Sequence, residues 1–224
     1  MRMQAVQQYA SVALIGWASG LNLYLAVALA GICGRAGWLP LPGELKVIEH
    51  PLIIGIAVLL YAVEFVADKV PYVDSFWDSF HTIIRPAAAA GMGYMAGSEL
   101  GPVAQTMLSM GAGTFALNMH AVKASSRLAI NTSPEPFSNI TASLAEDSAV
   151  FGMFWFFIQH PWLALALIIV ILILSYFLLR LLWKFVKKLF KAVFGLGRKT
   201  TPAAIAADIK DTPPSVPGPG GPTP

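Results

Sequence analysis

Cysteine is nearly absent. Cys33 stands alone, which excludes an intrachain disulfide and a cysteine-based metal site, and its apolar surroundings fit a small packing residue. Charge is scarce as well, at 12% of residues, and the net charge of +3 is no signature of a nucleic-acid partner. A Walker phosphate loop, a nucleophile elbow, a His-Glu-x-x-His zinc motif and the Asp-Gly pattern of CDP-alcohol transferases are all missing. Those absences leave the common nucleotide, acyl and zinc chemistries without their residues, and nothing in the chain calls for a cofactor.

What is there in quantity is apolar. Hydrophobic residues make up 56% of the 224, and the mean hydropathy is +0.65. Crossing the roughly 30 Å hydrocarbon core takes about 20 apolar residues, and several runs approach that length. The composition predicts an all-α, polytopic membrane protein of about six helices.

The first helix is expected over the apolar run from about Tyr9 to Cys33. Ala18-Ser19-Gly20 has the small-residue look of a processing site, but the run continues past it, which favours a retained helix. Trp38, Pro40, Pro42 and Gly43 form an interfacial loop, and Pro51 opens a second helix as an N1 proline. Pro71 ends it. The third helix holds Asp74 to Arg85, then Pro86, then the small-residue run AAAAGMGYMAG, and is expected to be broken or re-entrant at Pro86. Helix four runs from about Pro102 to Ala129, helix five starts at an N-cap on Ser138 or Asn139, and helix six follows His160-Pro161.

Three stretches divide the chain: a membrane helical domain over 1–180, a basic amphipathic extension over 181–199, and a Pro/Gly-rich tail over 200–224 expected to be disordered. The basic extension suits an anionic cytoplasmic leaflet, and the Lys and Arg count puts both termini in the cytoplasm, in an inner membrane. LNLYLAVALAG at Leu21 resembles LNMHAVKASSR at Leu117, which points to inverted three-helix repeats of the kind secondary transporters use.

Against this apolar background the charges cluster. Helical steps of four, three and four residues hold Asp74, Asp78, His81 and Arg85 within a face of roughly 60°, and similar steps align His120, Lys123, Arg127 and Asn131 within about 80°. Lys69, His81, Arg85, Asn118, His120, Lys123, Arg127 and Asn131 are the candidate ligands of an anionic small molecule or lipid headgroup, since Arg grips phosphate or carboxylate at two points. Glu64, Glu146 and Asp147 are the candidates for proton coupling. Asp74, Asp78 and His81 offer a metal or proton-relay face in the alternative. The bland counterpart of each is a set of interfacial charges paired with one another.

EFVADKVPYVDSFWDSFHTIIRP, followed by NTSPEPFSN and the Glu146-Asp147 pair, resembles the bacterial membrane family catalogued as domain of unknown function 4126. The resemblance spans roughly Gly16 to Trp162. It implies a small polytopic inner-membrane protein and carries no activity with it. The residues themselves point first to a secondary transporter or flippase for an anionic solute or lipid headgroup, coupled to protons. Other readings are a divalent-cation transporter or channel, a membrane-embedded lipid-phosphate enzyme, and an accessory scaffold; a homo-oligomer stays open.

Overall fold

A computed structural model describes residues 2–70, 73–130 and 136–195. The described residues form seven α-helices and one 3-10 helix, with no strand among them: α1 (Arg2–Leu21), α2 (Leu23–Arg35), the 3-10 helix (Gly43–Glu49), α3 (Pro51–Ala67), α4 (Val73–Ala96), α5 (Pro102–Ile130), α6 (Pro136–Gln159) and α7 (Pro161–Gly195). The chain divides into two compact units, 1–182 and 183–224, and the core lies in the first. Asn131 and the Pro/Gly-rich tail over 200–224 lie outside the described residues.

The expected helix starts at Pro51, Pro102 and Pro161 are all met. Each proline lacks the N–H that a first-turn residue cannot use anyway. The His50 ring reinforces the α3 start by accepting a hydrogen bond from the Leu52 N–H at 3.2 Å. Helix α6 begins earlier than expected, at Pro136, so neither Ser138 nor Asn139 is its N-cap.

Two corrections concern breaks. α4 runs unbroken through Pro86, so the helix is neither interrupted nor re-entrant there. Four alanines follow the proline, the residue type with the highest helix propensity, and α5 packs tightly against this stretch. A Cβ added at Gly93 would lie 2.4 Å from the Leu108 carbonyl oxygen, so the two backbones approach at a distance only glycine permits. The real interruption is upstream. The apolar run expected as one helix is split at Asn22, which takes an extended conformation (φ −149°, ψ 104°) and caps α2.

α1 lies against α5 through a second close approach, where a Cβ on Gly20 would sit 2.5 Å from the Ala116 carbonyl oxygen. Behind α1 and α2, the loop after α2 and the 3-10 helix fold inward. Leu39, Leu41, Leu45 and Ile48 are buried there, in one core with Leu14, Ile15, Phe154 and Phe157. Sequence patterning had read this segment only as an interfacial loop.

The large apolar side chains elsewhere face outward. Leu59 on α3, Phe76, Phe80 and Ile83 on α4, Val103, Met107 and Met110 on α5, Trp155 on α6 and Leu174 on α7 are all exposed. Pro161–Lys184 is long and apolar enough to cross a membrane, and the 3-10 helix with α3, bent by 66°, passes the same test as a pair.

Candidate functional site

The charges that composition makes rare are collected inside. Arg85, Arg127 and Lys123 are among the largest fully buried side chains, and Glu64, Asp68, Asp74, Asp78, His81, His120 and Asp147 are buried around them. The two predicted helix faces are therefore real interior faces, one on α4 and one on α5, meeting across the α4–α5 hairpin.

The break at Asn22 is the hub. Its side-chain oxygen accepts from the Leu25 N–H at 3.0 Å, a donor that in an unbroken helix would bond the Leu21 carbonyl. The freed α1 carbonyls turn to cations instead. Arg85 Nη1 donates to the Gly20 and Leu21 carbonyls at 2.8 and 2.9 Å, and Lys123 Nζ donates to Leu21 at 3.3 Å. Positive charge at the C-terminal end of a helix is favoured by the helix dipole. The Asn22 amide donates in turn to Asp147 Oδ1 at 3.1 Å, and the Tyr61 hydroxyl donates to Asp147 Oδ2 at 3.2 Å.

Ion pairs tie the helices together. Arg85 pairs with Glu64 and lies 3.4 Å from Asp78. Lys123 bonds Asp68 at 2.6 Å, with Glu146 at 3.5 Å. Arg127 bonds Glu146 at 2.8 Å and also donates to the carbonyls of Asp68 and Asn139 and to the Asn139 side-chain oxygen. Such buried pairs persist only where most of their hydrogen-bonding capacity is met, because desolvating each ion costs several kcal/mol.

Two histidines join the network, and their partners constrain their protons. His81 Nδ1 meets the Trp77 carbonyl at 2.8 Å, which can only accept, so Nδ1 carries a hydrogen, while Nε2 lies 3.2 Å from the Tyr24 hydroxyl, which can donate or accept. His120 Nδ1 faces Arg85 at 3.2 Å, which can only donate, so His120 is neutral there and its Nε2–H donates to Thr82 at 3.0 Å. Both rings are thereby committed. Among the described residues no group of three His, Cys, Asp or Glu side chains is arranged to hold a metal ion, so Asp74, Asp78 and His81 do not converge as a metal face.

The remaining predicted residues fall at the margin. Lys69, beyond the end of α3, donates to the Phe65 carbonyl at 2.8 Å and to Ser143 at 3.4 Å. Desolvation lowers its ammonium from the ordinary value, against the pull of nearby Asp147 and Asp68. Asn118 pairs with Ser175 of α7, away from the cations. Its proposed repeat-mate Asn22 caps a broken helix while Asn118 sits inside a continuous one, so the matched segments adopt different local structures. Asn22, Tyr61, Asn139 and the α1 carbonyls were missed as site components. The signal for the first was present: Gly20-Leu21-Asn22 places a helix-ending glycine beside a favoured N-cap residue.

Between α4 and α5 lies an open cavity of about 240 Å³ lined by Ser75, Asp78, Ser79, Thr82, Ala124, Arg127 and Leu128. Asp78 and Arg127 are its buried members. Several polar atoms of the network lack a hydrogen-bond partner, namely both oxygens of Asp74 and of Asp78, Asp68 Oδ1, Glu64 Oε2, and the Nε atoms of Arg85 and Arg127. Unmet donors and acceptors in one interior call for water or a polar solute between them.

An all-α protein with ion pairs inside and aromatic and aliphatic side chains outside is the class this fold and site define. The chain belongs to the family described as Domain of unknown function (DUF4126), whose model matches residues 10–181. No curated protein and no solved structure matches it.

Proposed function

We propose that this protein is a multi-pass membrane transporter, driven by protons, for a small anionic solute or the headgroup of an anionic lipid. The observation that carries the reading is the break in the first helix at Asn22, whose carbonyls bind Arg85 and Lys123 within an ionic centre built from four further helical segments. Discontinuous helices that offer backbone groups to charge near mid-membrane are how transporters build binding sites. The inverted distribution of polarity supports the membrane setting. Lipid covers exposed Leu, Ile and Phe at no cost, while ionisable side chains must turn inward and pair.

Hydropathy alone passes few spans: α3, at 17 residues, is counted only together with the 3-10 helix before it, and polar and charged residues lower the average of α4 and α5. On this reading α1 with α2 makes one broken crossing and α3 to α7 five more. The excess of Lys and Arg after the last crossing puts both termini on the cytoplasmic side of an inner membrane.

The cavity holds Asp78 and Arg127 together, so an anion docking on Arg127 meets a carboxylate one helix away. Neutralising carboxylate charge removes that repulsion, which is the physical basis for moving the anion together with a proton. The metal reading finds less support, because the acidic face does not gather a coordination set.

The test is flux. The full chain in proteoliposomes, loaded with a pH-sensitive dye, should take up protons when inorganic phosphate, succinate or a short-chain phosphatidic acid is supplied under an inward pH gradient. Arg127→Gln should abolish the response. Failure of all three probes to move protons sinks the reading.

A further inference from the structure

We propose that Asp74 is a proton-binding site in this protein, reached from the α4–α5 cavity by way of Asp78. The purpose of such a site rests on the transport reading; its chemistry does not.

The candidates for proton coupling that sequence reading favoured are already engaged. Glu64 is held by Arg85, Glu146 by Arg127 and Lys123, and Asp147 by Asn22 and Tyr61. Asp74 differs from all three. It is 0% exposed, and neither of its carboxylate oxygens receives a hydrogen bond. One turn along α4, Asp78 lines the cavity and stands 3.4 Å from Arg85.

The charged and titratable groups around Asp74 come from every neighbouring element. α4 itself contributes Asp78; the end of α3 contributes Asp68; and α5 contributes Arg127 and Lys123. The cations among them are bonded elsewhere, Lys123 to Asp68 and Arg127 to Asn139 and Glu146. With all groups ionised and both histidines neutral, Glu64, Asp68, Asp74, Asp78, Glu146 and Asp147 outnumber Lys69, Arg85, Lys123 and Arg127 by two. A buried carboxylate with no donor, beside another anion, takes up a proton in preference to remaining charged. Among the described residues the same cluster assembles no group of three metal ligands, whereas a proton needs only the one carboxylate. Asp78 completes the path, because it touches both the cavity and the interior and can pass a proton inward by one helical turn.

Infrared difference spectroscopy on the purified full-length protein reads this directly. The wild type should show a protonated-carboxyl C=O band at neutral pH that disappears as the pH is raised. Asp74→Asn should lose the band, and Asp74→Glu should keep one at a shifted frequency, which guards against a merely misfolded variant. Asp78→Asn should keep the band but respond more slowly to a pH jump, while Glu99→Gln, at an exposed position, should change nothing. A wild type with no such band, a band surviving in Asp74→Asn, or an Asp78→Asn response as fast as wild type overturns the assignment. So does a spectrum that answers to sodium replacing potassium at fixed pH but not to pH itself. Because the band reads protonation and not flux, a negative liposome result with the band present refutes only the transport reading.

Discussion

Two halves of the same interior are built on opposite terms. Around α1, α2, the 3-10 helix and α6, the buried side chains are Leu14, Ile15, Leu39, Leu41, Leu45, Phe154 and Phe157, and shape alone holds them. Around the facing surfaces of α3, α4 and α5, the buried side chains are Arg85, Lys123, Arg127 and their carboxylates, and each needs named partners. The apolar half tolerates imperfection by small shifts. The ionic half does not, since one missing partner strands a charge.

The sharpest way to break this comparison is to remove one ion. Arg85→Met strands Glu64 and releases two α1 carbonyls, and should destabilise the protein by about 3–5 kcal/mol in thermal unfolding. Adding Glu64→Gln should recover a large part of that loss. Equal losses in the single and double variants would show that the ionic half behaves like ordinary packing.

In the apolar half, Leu45→Ala should cost about 2–5 kcal/mol, with no second substitution able to restore it by charge removal. Where the halves meet, a Cβ on Gly20 would lie 2.6 Å from the Met119 Cβ, so Gly20→Ala should push α1 off α5 at a cost of about 1–3 kcal/mol. It should also disturb Arg85, which no apolar substitution distant from the break would do. Asn22→Ala removes the α2 cap and one Asp147 donor, for about 0.5–2 kcal/mol. The smallest effect belongs to Gly91, where an added Cβ meets nothing within 4 Å; Gly91→Ala should raise stability by about 0.5–1 kcal/mol. Destabilisation there would mean that the outer face of α4 is covered more tightly than the structure shows.

Much of the ionic half was legible before any coordinates. The spacing of Asp74, Asp78, His81 and Arg85 requires one face of a helix, and so does that of His120, Lys123 and Arg127; all seven are buried. Their partners were not legible, because the pairs join residues 12 to 125 positions apart and nothing local selects them. Helix breaking was misjudged for a related reason. Pro86 carries a strong local penalty, yet the packing of α5 against α4 holds the helix through it. Asn22 carries a weak one, yet bonds from Arg85 and Lys123 to the freed carbonyls, and from the Asn22 amide to Asp147, reward the break.

By itself the sequence determined that the chain is helical, where most helices begin, and which polar residues share a face, since all three follow from periodicity and proline stereochemistry within a few turns. Tertiary structure alone decided where the chain breaks, which acid answers which base, and that Asp74 is left without a donor. Those are outcomes of competition among distant groups for a limited set of hydrogen bonds away from water, and no local pattern records who wins.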